Sequence, residues 1–405
     1  MSGRAPSGWD YAMEKAIYTL VIAILSIHIV TTQAEATVWT VSKDGSADFL
    51  IIQDAIDAAE SGDTIQIGPG RYTDYQTVYS GYVTVRHEYL SVIGKSIEIQ
   101  GAGANSTIIC PVTPDHHPWP GVQVFGLYAE DVERLVMGNL RFESMPFRAV
   151  GCAVEVGGLE LSDCAFYDCG DGVLGRFPDG GYICRSSFEN IEHGVSVHAP
   201  TSDFNIYDCS FIDVYKSIGL YWSPVECNIY DCTFEGGQTG IGFSDGSSGS
   251  VRDCLIQNTG GYGLYVHASG VVEFTNNTIE QDAGWGMALA GAQEVTVQNN
   301  TIGTDSGTCL FLPYPVESMT FENNHLIRGS GNYANTNDYW PYTPPTYLHL
   351  ENNYWGTTDL DEIAEYIIDG HDMPGVQMFV LYDPVADAPV AVEDLSWSTV
   401  KSLFR

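Results

Sequence analysis

FNIYDCSFID (Phe204–Asp213), CNIYDCTFEG (Cys227–Gly236), GSVRDCLIQN (Gly249–Asn258), VEFTNNTIEQ (Val272–Gln281) and VTVQNNTIGT (Val295–Thr304) are one phrase written five times. Each copy is an alternating apolar strand, a tight polar pair and a further apolar residue. The second member of the pair marks the register: Cys209, Cys232, Cys254, Asn277 and Asn300, at steps of 23, 22, 23 and 23 residues. The same register reaches back to Leu140, Cys164 and Ser186 and forward to Asn324 and Asn353. A second column, Gly172, Gly194, Ser217, Gly240, Gly263 and Gly286, keeps the period independently. Two columns in one register identify a solenoid.

A period near 23 with strand alternation leaves few architectures. Leucine-rich repeats share the length, but their L-x-x-L-x-L grammar and helical segment are missing. Three short strands and three turns per coil use this many residues, so the expected fold is all-β. It is a single right-handed parallel β-helix with an N-terminal amphipathic helix cap and a C-terminal cap segment. Coils rise by ~4.8 Å, so equivalent side chains stack. Asn277, Asn300, Asn324 and Asn353 are then placed to pass amide hydrogen bonds up a ladder. Cys209, Cys232 and Cys254 stack in the same column as small interior residues.

The coil grammar resembles the pectin lyase-like superfamily. So does WTVSKDGSADFLIIQDAIDAAESGDTIQIGPGRY (Trp39–Tyr72), which is similar to the opening of pectinesterases and of many secreted β-helix proteins. The resemblance runs from about Val38 to Gly356. It implies the fold and not one activity, since the superfamily holds lyases, hydrolases, esterases, epimerases and non-enzymatic proteins. It also implies that the strand following the Gly column carries the substrate groove.

Met13-Glu14-Lys15 followed by AIYTLVIAILSIHIV reads as a signal peptide with a start at residue 13, and Ala34-Glu35-Ala36 as its cleavage site. Fifteen apolar residues are short for a bilayer span. The expected organisation is therefore signal peptide 1–36, β-helix 37–356 and C-terminal cap and tail 357–405. Secretion or cell-surface location follows, with no stable membrane span once the signal is removed. Fifty-two acidic against 16 basic residues, a net charge of −36, exclude nucleic acid as a partner. The same balance disfavours a bare polyanion unless cations bridge it, so calcium stays open as a cofactor; no other cofactor is implied. The ten cysteines lack C-x-x-C pairs or clustered histidines for a metal. Several sit in the interior column, so mostly free thiols are expected.

Leu50, Ile51, Ala55, Ile56 and Ala59 follow helical spacing within Phe49–Glu60, which places the cap. A Pro-rich loop, DHHPWPG (Asp115–Gly121), lies among irregular early coils. Later, GSGNYANTNDYWPYTPPTY (Gly329–Tyr347) stretches one marker step to 29 residues and reads as a projecting aromatic loop. Asp359–Ile368 suits a short helix and Val376–Tyr382 a strand.

Alternation on the strand after the Gly column turns Val195, Ile218, Ile241, Leu264 and Met287 inward. Arg176, His198, Tyr221, Ser244 and His267 then face outward, beside Trp222 and Tyr265. Just before the Gly column stand Arg148, Asp171, His193, Lys216, Tyr262 and Trp285. Aromatic and basic groups in one strip suit sugar rings with hydroxyls or carboxylates. The candidate ligand-binding residues are Arg176, His198, Tyr221, Trp222, Tyr262, His267, Trp285 and, from the loop, Trp340. For catalysis, Asp171, His193, Arg148 and Lys216 could supply a base and carboxylate-stabilising cations.

Diagnostic motifs of the superfamily's enzymes are missing. Gln281-Asp282-Ala283 is a fragment of the esterase pattern. Arg176-Phe177-Pro178 is half of the lyase R-x-P-x-x-R, with Gly181 where the second Arg belongs. The expected function is polysaccharide or cell-surface glycan binding along the strip. A polysaccharide lyase using the same residues and a non-catalytic adhesion spacer are the alternatives.

Overall fold

The computed structural model describes residues 36–80, 84–111, 122–152, 156–222, 226–336, 345–373 and 376–388. The signal segment, the Pro-rich loop at 115–121, Trp340 and the tail from residue 389 lie outside the described residues. A first unit, Met1–Thr37, contributes two of the described residues; everything below concerns the second, Val38–Arg405.

One coil shows how the period is spent. Phe204–Tyr207 joins a 12-stranded sheet, here sheet A; Ser210–Ile212 joins an 11-stranded sheet B; Lys216–Tyr221 joins a 13-stranded sheet C. The chain then re-enters sheet A at Glu226–Tyr230, paired in parallel with Phe204–Tyr207. Repeated along the chain, this winding is a right-handed parallel β-helix. Among the described residues its one antiparallel pairing is the edge hairpin Gln76–Ser80 with Thr84–Ile93, which ends sheet C.

The polar pair is the corner between sheets A and B. Its first member takes the left-handed conformation: φ is 53° at Asp208, 54° at Asp231, 55° at Asp253, 57° at Asn276 and 58° at Asn299. Asp and Asn tolerate that region better than other side chains, because they hydrogen-bond locally. The turn throws the second member inward, where Cys209, Cys232, Cys254, Asn277 and Asn300 are all buried. Asn300 Nδ2 donates to Phe274 O (2.9 Å) and to Asn324 Oδ1 (3.0 Å), while Asn300 Oδ1 accepts from the Asn277 backbone (2.9 Å). Asn324 is held by Asn353 in the same manner. Buried amides are thereby satisfied from coil to coil, which is the condition for their burial. All ten cysteines are buried free thiols, and Cys209 and Cys232 each donate Sγ–H to a backbone carbonyl two residues earlier.

Apolar columns fill the rest. Phe142, Phe166, Phe188, Phe211 and Phe234 stack along sheet B with interplanar angles of 4–9°. Full burial of each ring is worth roughly 1.5–3 kcal/mol. The Gly column leaves room for this stack: a Cβ at Gly194 would lie 2.5 Å from Ser217 O and 3.1 Å from the Phe211 ring.

Helix α1 (Ile52–Ala58) covers the first coil with Ile52, Ala55 and Ile56. It is shorter than its sequence pattern suggests. Leu50 precedes it and stays 55% exposed, since the extended Ile51 is the N-cap. Lys95 Nζ donates to the carbonyls of Ile56 and Ala59 at the helix end, both at 2.8 Å.

At the other end, Gly329–Tyr347 is not one projecting loop. Asn332–Asn335 extends sheet C, and Tyr333 is buried edge-on against Trp355. Helix α2 (Leu360–Glu365), N-capped by Asp359, and a strand at Ile367–Ile368 share the stretch expected to be all helix. Met378–Leu381 pairs with Thr346–His349 in a separate two-stranded sheet. Among the described residues no helix is long and apolar enough to cross a membrane.

Candidate functional site

Sheet C presents three outward columns. The first runs Arg148, Asp171, His193, Lys216, Thr239, Tyr262, Trp285 and Thr308, in register through successive pairs. The third runs Arg176, His198, Tyr221, Ser244, His267 and Ala290. Val195, Ile218, Ile241, Leu264 and Met287 point into the core with no exposed surface.

Between the two outer columns stands one that the sequence reading passed over: Gly151, Leu174, Ser196, Gly219, Gly242, Tyr265, Ala288 and Phe311. The signal was available in GVSVH, where alternation turns Ser196 to the same side as His198, although Ser196 itself is buried. Three small residues in a row make a trough floor from Ser196 to Gly242, with Leu174 and Tyr265 rising at its two ends. A Cβ on Gly242 would sit in ordinary contact, 3.8 Å from Ile218 O and 3.9 Å from the Tyr265 ring, so that position has room for a methyl group. Gly219 differs: its missing side chain is replaced by the Tyr221 ring, 2.8 Å from where a Cβ would stand. Lys216 Nζ donates to Tyr221 Oη at 2.8 Å, and the pair forms a bar across the trough.

On one side of the bar the groups are charged. Asp171 takes Arg148 Nε on Oδ2 (3.1 Å) and faces His193 Nδ1 with Oδ1 (2.9 Å). This hydrogen bond raises the His193 pKa against the opposing effect of burial. His198 shifts the other way, lowered first by burial and then by the Arg176 and Arg148 charges. The structure thus brings Arg148, Asp171 and His193 into contact, and places Lys216 in the next coil, bonded to Tyr221.

Beyond the bar the walls are aromatic. Tyr262 stacks on Trp285 (4.9 Å, 16°), and Trp285 on Phe311 (5.4 Å, 29°). Their faces are largely occupied by one another, so they offer apolar edges rather than open platforms. Trp222 is the free ring. It is 55% exposed, lies beside His198 (5.7 Å) and takes φ 51°, a conformation unfavourable for a bulky residue. The same left-handed corner recurs at Ala199, Asp245 and Ala268, so the turn belongs to the repeat and the exposed ring is what distinguishes this coil. Trp340 lies outside the described residues. Among the described residues no group of three or more His, Cys, Asp or Glu is arranged to hold a metal ion.

Known proteins resemble the chain in two ways. A family model described as a right handed beta helix region matches residues 219–338. Pectinesterase 31 of Arabidopsis thaliana is 33% identical over 138 residues, covering 32% of this chain. The chain spans only 41% of that relative's length. Among solved structures, the A-module of the Azotobacter vinelandii mannuronan C-5 epimerase AlgE4 aligns at 14% identity and TM-score 0.39, covering 69% of this chain and 90% of that one. A mannuronic acid specific family 6 lyase from human gut microbiota aligns at 10% identity and TM-score 0.40, with 90% of each chain covered. Neither structural score bears on activity. The stacked coils and the matching family model agree that the chain is built on a right-handed parallel β-helix, and over about a third of its length it is similar to a pectinesterase.

Proposed function

We propose that this is a secreted protein that binds polysaccharide lengthwise in the trough of sheet C. The observation that carries this reading is the pair of small residues Ser196 and Gly242, one on each side of the Lys216–Tyr221 bar, between two columns of basic, hydroxyl and aromatic groups. A flat sheet face would bury little of a sugar chain, whereas a trough surrounds it and supplies convergent polar groups. The walls run parallel to the helix axis, which suits a long polymer and not a compact ligand. The pectinesterase relative supports a carbohydrate partner. The test is a glycan array followed by titration of the hits against Trp222→Ala and Lys216→Gln. Saturable binding that both substitutions weaken supports the reading, and an array without hits, as the spacer alternative requires, overturns it.

The Lys216–Tyr221 pair favours a second reading, β-elimination on a uronate. A base at the bar would take the proton beside the carboxylate, Arg148 or Arg176 would stabilise the resulting enolate, and expulsion of the glycosidic oxygen would leave a carbon–carbon double bond. The Tyr221 hydroxyl would give its proton to the leaving oxygen and recover one from the base through its bond to Lys216. Unsaturated, ultraviolet-absorbing products from a uronan, lost in Tyr221→Phe, would establish it.

A further inference from the structure

The two halves of the trough differ in charge, and the bar separates them. Arg148, Arg176 and Lys216, three of only 16 Lys and Arg in the chain, stand on three of four successive coils of sheet C. His193 and His198 stand among them, against a single carboxylate in the three columns, Asp171. From Thr239 to Phe311 the same three columns contain no Lys, Arg, Asp or Glu at all. Their outward groups are Thr239, Ser244, Tyr262, Tyr265, His267 and Trp285, with Asp245 at the rim.

Charge bookkeeping gives the two halves different ligands. The protein carries a net charge of −36, so a sugar carboxylate approaching it is repelled unless fixed cations stand close by. Those cations exist on one side of the bar only. Beyond it, a carboxylate would lose hydration against aromatic edges with no cation to compensate, which is costly. An uncharged sugar there instead gains apolar burial and hydroxyl partners. A uniformly acidic chain therefore fits half the trough, and a uniformly neutral chain fits the other half.

Resting on the reading of the trough as a polysaccharide site, we infer that its ligand is a mixed glycan, acidic along one stretch and uncharged along the next. The change of character falls at Lys216 and Tyr221. Arg148, Arg176, Lys216 and the two histidines take the acidic stretch. The wall of Tyr262, Tyr265 and Trp285 above Gly242 takes the uncharged one.

Calorimetric titration of the full chain with matched oligogalacturonates tests this. The probes are a fully ionised oligomer, its full methyl ester, and two block oligomers esterified over one half or the other. One block order should bind at least about tenfold tighter than either uniform oligomer. Arg176→Gln should weaken the ionised and block oligomers and spare the full ester. Trp285→Ala should weaken the full ester and the block oligomers and spare the ionised one, with unchanged melting in each variant confirming the fold. If the ionised oligomer binds as tightly as the better block chain, and both substitutions weaken every probe alike, the two-part ligand is refuted while the trough remains a glycan site. Absence of binding by all four probes overturns both.

Discussion

Gly219 and Gly242 stand one coil apart in the same column, yet their substitution should have different consequences. At Gly219 an added Cβ meets the Tyr221 ring at 2.8 Å, so Gly219→Ala should displace the ring and break its bond to Lys216. At Gly242 an added Cβ meets nothing closer than 3.8 Å, so Gly242→Ala should displace no neighbour and leave thermal melting nearly unchanged. The new side chain would still occupy the trough. Glycan affinity should fall about tenfold in both variants, with titration calorimetry and thermal melting as paired readouts. The two histidines make a second pair with opposite signs. Asp171 raises the His193 pKa, so that residue's contribution to stability is complete below the free imidazole range of about 6.5 and is lost as pH rises through the raised value. Burial lowers the His198 pKa, so its contribution is present above that range and is lost as pH falls. Denaturant midpoints at about pH 5.5 and about pH 8 should show His193→Gln losing stability mainly at the acid end. His198→Gln should relieve acid sensitivity. Position was legible at this scale: alternation alone put Arg148, Asp171, His193, Lys216 and Arg176 on one face. Contact was not, because whether Lys216 reaches Tyr221 or Asp171 is decided by side-chain packing across coils.

In the turns, adjacent residues do unrelated work. Asn299 supplies a left-handed φ of 58°, and Asn300 supplies a buried amide. Asn299→Gly should therefore be nearly neutral, whereas Asn299→Val should cost about 1–2 kcal/mol for a β-branched residue in that conformation. Asn300→Ala should cost about 2–3 kcal/mol, because the Asn277 backbone N–H and the Phe274 carbonyl lose their partner inside the core. Chemical denaturation of the three variants checks the contrast. A repeated polar pair is visible in one dimension, but its division into a turn former and an interior group is a property of the corner. The segment after Gly329 was misread for a similar reason. Its Gly, Asn and Pro content suggests a loop, but parallel pairing of Asn332–Asn335 with Thr308–Tyr314 overrides local composition.

The solenoid itself was the most legible feature, since a period held in two columns constrains every coil at once. Its ends were less so, because capping segments follow no period and are shaped by whatever coil they cover. The buried thiols provide a whole-molecule test. A thiol reagent should modify few of the ten cysteines in the native protein and all ten in denaturant, with no reductant needed. Early modification would mean that coils open independently, as weakly coupled repeats do. The stacked trough has one further consequence. Its walls are spelled once per coil, so trough length is counted in whole coils, each adding ~4.8 Å. Duplicating the segment from Gly242 to Leu264 would insert one increment between the charged and uncharged halves and leave every other contact in place. The chain works as a ruler whose graduations can be added or removed singly, and the spacing between two sugar types on a polymer becomes something that gene duplication can set.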